Sequence, residues 1–148
     1  MRRVRRFLRL PGPEKLLLLQ AALLLSTTRT ALALLPFQTV RRTLSRLARP
    51  QHQLPPQQSD VNRIVWATEA AVRRLPGIGT CLTQALTAHV LLGRIGYDTN
   101  LRIGATRDQA GEFVAHAWLE KDNEIVIGEL GEELQRYTPF PTLKGLQR

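Results

Sequence analysis

The spacing of hydrophobic and polar residues changes after Tyr97. Before that point apolar residues recur every three or four positions, as in helices, and afterwards they alternate with polar residues, as in strands. The pattern predicts helices over residues 14–35, 38–48, 59–75 and 81–92, strands over 99–105, 113–120 and 124–127, and a turn at 122–123. Helices followed by an antiparallel sheet make an α+β fold.

Proline and threonine mark the ends of two predicted helices. Pro13 suits the first turn of the first helix and Pro36 stops it. The apolar residues of this helix nearly surround its axis, so we expect it to be mostly buried. Thr80 offers an N-cap oxygen to the helix that begins at Cys81.

A stretch rich in proline and glutamine separates two parts of the chain. Residues 50–58 lack an apolar period and predict an extended linker, after which Ser59 or Asp60 can cap a helix. We therefore divide the chain into a basic, Leu-rich helical region over 1–49, the linker, and a core over 59–148.

The net charge is concentrated in the first third of the chain. Residues 1–49 contain eleven Lys and Arg against one acidic residue, giving +10, whereas the whole chain carries +9. Such a region favours anionic partners, and the two interpretations left open are a solvated helical face and peripheral membrane contact; a non-catalytic basic adaptor of membrane or nucleic acid is an alternative function. Interleaved aromatic and basic residues, typical of single-strand binders, are missing from this region, so we expect no nucleic-acid partner.

The N-terminus only partly resembles a secretory signal. Arginines precede a Leu-rich run over residues 16–25, and Ala31-Leu32-Ala33 resembles a cleavage site. In a signal the charged part joins the apolar part directly, but here residues 11–15 separate them. The run is also too short for a membrane span. One cysteine and no CxxC pair fit a reducing compartment, so we expect a cytoplasmic protein without disulfide, metal or cofactor.

Cys81 is the only cysteine and stands at the predicted start of a helix. Unpaired N–H groups and the helix dipole stabilise a thiolate there and can also receive an oxyanion. A thiolate beside an imidazole is the minimum equipment for covalent acyl chemistry, so Cys81 is the candidate nucleophile. The alternative is a small, buried core cysteine.

Three histidines compete to be the base for Cys81. His89 follows on the same helix about 12 Å further along the axis, which is too far for a hydrogen bond. His52 lies in the linker, which offers no fixed geometry. His116 lies inside a predicted strand between two alanines, where the ring is well fixed, so it is the candidate base. A purely structural histidine is the alternative.

A third group should orient the imidazole. Antiparallel pairing across the predicted turn brings the residues around Glu129 back toward His116, so Glu129 is the preferred orienting acid. The other acidic residues of this hairpin are interpreted as solvated charges: Glu120, Asp122 and Glu124.

Six short segments, taken together and in this order, resemble one known protein family. They are residues 81–86, 91–97, 101–104, 115–120, 126–128 and 136–139. The set resembles the transglutaminase-like cysteine proteases of lasso-peptide biosynthesis, the B proteins that remove the leader peptide from a precursor. The resemblance implies a papain/transglutaminase-like core with a Cys-His-Asp arrangement. Cys81 then matches the nucleophile and His116 the base, while Gly128-Glu129 stands where the family has its aspartate.

The resemblance implies a leader peptidase of the split type. A chain of this length leaves no room for a fused recognition domain, so we expect a separate small leader-recognition protein to deliver the leader peptide. An ATP-dependent macrolactam cyclase would close the released core, and the N-terminal helices would dock these partners. The same cysteine and histidine also serve transglutaminase-type transfer to an amine, which the sequence leaves open.

Overall fold

The computed structural model describes residues 11–51 and 55–141. Its helices are α1 (Gly12–Leu34), α2 (Phe37–Leu47), α3 (Gln58–Arg74) and α4 (Cys81–Arg94). Its strands are β1 (Asn100–Arg107), β2 (Phe113–Lys121), β3 (Glu124–Ile127) and β4 (Thr138–Pro139), with a 3₁₀ helix over Gly131–Arg136 before β4. The arginine-rich start of the chain and His52 lie outside the described residues.

The strands form an antiparallel sheet in the order β3-β2-β1-β4. In the long β1–β2 pair, Ile103 lies opposite Ala117 and Gly104 lies opposite His116. The predicted α+β fold is confirmed. The prediction missed β4, because a strand of two residues has no alternation to recognise.

Local backbone chemistry sets the helix starts. Thr80 caps α4 as predicted, in a capping box in which Thr80 N donates to Thr83 Oγ1 at 2.8 Å and Thr83 N donates to Thr80 Oγ1 at 3.3 Å. The predicted cap of α3 at Ser59 or Asp60 is wrong. The N-cap residue is Gln57, two residues before Ser59 and three before Asp60, and its side chain makes no cap bond.

One hydrophobic core joins the helices to one face of the sheet. α1 packs against α3 and α4, and α4 packs against β2. The division at residues 50–58 stays a prediction, but α1 and α2 share their core with the later elements. Large members of this core from the helices and the sheet are Leu18, Leu44, Ile64, Leu86, Leu92, Leu101, Leu119 and Ile127.

α1 is less buried than its apolar sequence predicts. Its fully buried residues form a single stripe: Leu18, Ala21, Leu25 and Thr28. Four leucines on its outer side are between 57% and 76% exposed: Leu16, Leu19, Leu23 and Leu34. The expectation of a mostly buried helix is therefore wrong, because the described elements next to it cover only one side. By length and composition the 23-residue helix is apolar enough to cross a membrane, which the shorter leucine run did not indicate.

Candidate active site

Cys81 is the first residue of α4, at a helix start that leaves two backbone N–H groups open. The capping box satisfies Thr83 N, and Gln84 N donates to the Thr80 carbonyl oxygen at 2.9 Å. In the part of the chain that the structure describes, the N–H groups of Cys81 and Leu82 have no hydrogen-bond partner. These two groups can therefore receive an oxyanion beside the thiol.

The loop before Cys81 is held tightly against α3. A Cβ at Gly79 would lie 2.7 Å from Val72 Cγ1, so this approach requires glycine. The buried Thr83 hydroxyl donates to the Ile78 carbonyl oxygen at 3.0 Å, which ties the loop to the helix. The backbone of Cys81 is thus fixed on both sides, while its side chain is only partly buried and stays accessible.

His116 lies in β2 with one ring nitrogen already bonded. Its Nε2 lies 2.7 Å from the carbonyl oxygen of Gly128, the residue that follows β3. Because a carbonyl oxygen can only accept, we assign the proton of the neutral ring to Nε2, and Nδ1 keeps its lone pair. Trp118 stacks on the imidazole with 6.1 Å between ring centroids, and Tyr137 lies at 5.6 Å. The ring is therefore held from several directions.

Gly128 can approach the imidazole because it has no side chain. Its φ of +91° lies in the region that favours glycine. An added Cβ would lie 2.9 Å from Trp118 Cβ and 3.0 Å from the Ala117 carbonyl oxygen. Sequence reasoning missed this residue as a ring partner. The available signal was a glycine directly after the strand that pairs with the histidine strand.

The structure brings the Gly128 main chain, rather than the Glu129 carboxylate, to the imidazole. Glu129 is exposed and forms no hydrogen bond or ion pair within residues 11–51 and 55–141. Its orienting role stays a prediction. Glu120 is not simply solvated, because Arg102 Nε lies 3.2 Å from its Oε1 across the β1–β2 pair. The remaining acids of the hairpin are exposed: Asp122 and Glu124. Across the described residues, no group of His, Cys, Asp and Glu is arranged to hold a metal ion.

The elements that carry Cys81 and His116 pack against each other, since α4 contacts β2. His89 Nδ1 lies 2.9 Å from Thr99 Oγ1, which ties the later part of α4 to the start of β1. Within the sheet, Gly104 of β1 is the partner of His116.

The thiol and the imidazole are not bonded to each other in this structure. No hydrogen bond between Cys81 and His116 occurs among the residues described. Cys81 borders the core with α4, whereas alternation along β2 places Ala117 in that core and His116 on the opposite face of the strand. Acyl chemistry between the two groups therefore requires that a side chain or β2 itself moves when substrate binds, so that the imidazole reaches the thiol.

His89 is a packed histidine. It is 6% exposed, and the Thr99 hydroxyl satisfies one of its ring nitrogens. Burial lowers the pKa of His89 below its ordinary value, and the nearby Asp98 carboxylate opposes this in part by raising it. His89 therefore belongs to the junction of α4 and β1 rather than to the site at Cys81.

Comparison with known protein families assigns the chain to one of them. The family described as the transglutaminase-like superfamily matches residues 22–142, which is most of the chain and runs from the middle of α1 past β4. The matched range includes Cys81, His116 and Gly128. Neither the comparison with curated proteins nor the comparison with solved structures gives a significant match. The chain belongs to the transglutaminase-like superfamily.

Proposed function

We propose that the protein is a cysteine protease that removes the leader peptide from a lasso-peptide precursor. The observation that carries the proposal is a single cysteine at an open, capped helix start within a transglutaminase-like chain. The resemblance of the sequence to the B proteins supports the substrate class. On this proposal a separate small recognition protein holds the leader peptide, and an ATP-dependent macrolactam cyclase uses the released core.

The first chemical step is acylation of Cys81. The thiolate sulfur attacks the carbonyl carbon at the leader–core junction, and the carbonyl oxygen becomes an oxyanion. The N–H groups of Cys81 and Leu82 donate hydrogen bonds to that oxygen. His116 gives a proton to the leaving amine, the carbon–nitrogen bond breaks, and the core departs with a free N-terminus. The leader remains as a thioester on Cys81.

The second step is hydrolysis of the thioester. His116 accepts a proton from water, the water oxygen attacks the thioester carbon, and the carbon–sulfur bond breaks. The leader leaves as a carboxylic acid, which then loses its proton to solvent, and Cys81 returns as a thiolate beside protonated His116. An amine in place of water would give transfer instead of hydrolysis, so product mass distinguishes protease from transglutaminase-type activity.

Gly128 is the positioning residue of this mechanism. Its carbonyl oxygen accepts the Nε2 proton of His116, so Nδ1 is the nitrogen that exchanges protons during both steps. A carboxylate would add a negative charge to stabilise the imidazolium, and a carbonyl provides only a dipole. Glu129 can add that charge only if its exposed side chain turns toward the ring, which Glu129→Gln tests directly.

The decisive experiment combines the purified protein, the recognition protein and the precursor, with products identified by mass spectrometry. We expect wild type to release the leader as a free acid and the core as a free amine. We expect Cys81→Ala to release neither, because it removes the sulfur and little packing. Circular dichroism and thermal melting of both proteins establish that the variant is folded.

Folded Cys81→Ala that still cleaves the precursor at the wild-type rate would refute the proposal. A folded wild type that forms a leader–amine adduct rather than a leader acid would replace proteolysis by acyl transfer. The same precursor assay with Glu129→Gln separates the two candidate orienting groups. An unchanged cleavage rate would leave the Gly128 carbonyl as the orienting group of His116, and a large loss of rate would assign that role to Glu129.

A further inference from the structure

The outer side of α1 is an uncovered apolar stripe. It consists of the positions that recur at helical spacing along one side of the helix: Leu16, Leu19, Leu23, Thr27, Thr30 and Leu34. We call this set the outer stripe. Every member is exposed, and the four leucines are more than half exposed. From its first to its last member the outer stripe is about 27 Å long.

The two threonines of the outer stripe do not make it polar. Thr27 Oγ1 donates to the Leu23 carbonyl oxygen at 2.9 Å, and Thr30 Oγ1 donates to the Ser26 carbonyl oxygen at 3.0 Å. Hydroxyls that bond back to their own helix need no water and leave their methyl groups outward. The stripe can therefore enter a non-aqueous environment without stranding a hydrogen-bonding group.

The buried stripe of α1 lies on the opposite side of the helix. Leu18, Ala21 and Leu25 are 0–3% exposed, and Leu18 and Ala21 belong to the core that α1 shares with α3 and α4. Drawing α1 across a bilayer would expose this core, so the helix cannot span a membrane while the fold is intact. It can lie along a surface, with its outer stripe inserted and its inner stripe holding the protein.

The charge of the N-terminal helices selects the kind of surface. Six basic residues accompany one acid, Glu14, in the described residues 11–51: Lys15, Arg29, Arg41, Arg42, Arg46 and Arg49. The sequence of residues 1–10 contains five more arginines. A second copy of the same region would bring like charges together, which opposes self-association through the stripe. An anionic surface would gain attraction from each basic residue near it.

We infer that α1 docks the protein onto an anionic lipid surface, with the outer stripe in the acyl boundary and the flanking basic residues at the headgroups. The site is independent of the proposed proteolysis, since Cys81 lies on a different helix. Membrane docking through this stripe would hold the catalytic core at the surface without a spanning segment.

The test is co-sedimentation of the full chain with phosphatidylcholine vesicles that contain or lack phosphatidylglycerol. We expect binding to the anionic vesicles that weakens as salt is raised, and little binding to the neutral ones. The double variant Leu19→Ser/Leu23→Ser should lower the partition coefficient about tenfold or more, because two inserted leucines are lost. Both leucines are exposed, so the variant should keep the wild-type melting temperature.

A matched control removes two exposed apolar side chains elsewhere. Phe113 and Ile125 are 73% and 38% exposed on the sheet, and Phe113→Ser/Ile125→Ser should bind anionic vesicles like wild type. Failure of wild type to bind, or equal loss in both double variants, would overturn the inference. A complex formed without lipid, either with a second copy or with the recognition protein, would also overturn the inference if it met two conditions. Leu19→Ser/Leu23→Ser alone would have to abolish it, and its formation would have to prevent vesicle binding.

Discussion

α1 and α4 are both rich in apolar residues, but the fold uses them in opposite ways. α4 buries ten of its 14 residues, whereas α1 buries four of its 23. α4 is enclosed by the N-terminal helices on one side and by β2 on the other. Among the described residues, α1 has other elements packed on one side only. The apolar content of a helix therefore does not determine how many of its residues are buried, because burial depends on how many other elements pack around the helix.

The difference matches what each helix has to do. The start of α4 is fixed by a reciprocal cap and by the close approach of Gly79 to Val72, so the Cys81 backbone has little freedom. A nucleophile benefits from such a rigid support. α1 needs only its inner stripe to stay attached, and its outer stripe is free to contact something else. Substitutions that respect or violate this division test it.

His116→Ala should have the largest effect, and on activity alone. Removal of a general acid and base costs about 10²–10⁴-fold in rate, and the rate of precursor cleavage measures it. His116 is only partly buried, so the melting temperature should change much less than the rate.

Glu120→Gln is the matched control for His116→Ala. Glu120 lies on the same face of β2 but pairs with Arg102 rather than with the imidazole. Its cleavage rate should remain at the wild-type level. A folded His116→Ala variant that cleaves the precursor as fast as wild type would show that the imidazole does not act on the thiol.

Leu25→Ala and Leu23→Ala give the sharpest comparison within α1. Leu25 is fully buried and Leu23 is 66% exposed, although both are leucines on one helix. Leu25→Ala should lower the free energy of unfolding by about 2–5 kcal/mol through lost burial and a residual cavity. Leu23→Ala should change it by less than about 0.5 kcal/mol. Urea unfolding measures both, and similar losses would mean that the outer stripe is covered in solution.

Gly128→Ala should have a smaller effect on stability than Leu25→Ala but a clear effect on activity. The positive φ and the contact with Trp118 predict a loss of about 1–3 kcal/mol, together with a displaced carbonyl and a slower cleavage rate. Gly96→Ala is the matched control, since Gly96 has a φ of +80° with open space at its Cβ. Equal precursor cleavage rates for Gly128→Ala and Gly96→Ala would show that Gly128 does not position His116.

Sequence reasoning succeeded where local signals decide the structure. The change of period after Tyr97, the threonine cap before Cys81 and the turn at Asp122 and Asn123 all depend on neighbouring residues, and each is present. It failed where distant elements decide. Neither the exposure of Leu23 nor the position of the Gly128 carbonyl beside His116 follows from nearby residues, because each depends on which parts of the fold pack together.

Titration of His89 should give the smallest effect and should act on α4 rather than on α1. Because burial lowers the pKa of His89 in the folded state, the unfolded chain binds the proton more readily as pH falls below the ordinary value of 6.5. Folding stability therefore falls as pH decreases through this range and is fully present above it. Urea unfolding of wild type against His89→Gln, which does not titrate, isolates the contribution of His89.

Hydrogen exchange locates the same effect within the fold. His89 joins α4 to Thr99 at the start of β1, so acid should reduce amide protection first at the end of α4 and leave the inner stripe of α1 protected longer. His89→Gln should remove this pH dependence. Simultaneous loss of protection in α1 and α4 would mean that the two helices unfold as one unit, and their different burial would then have no separate energetic consequence.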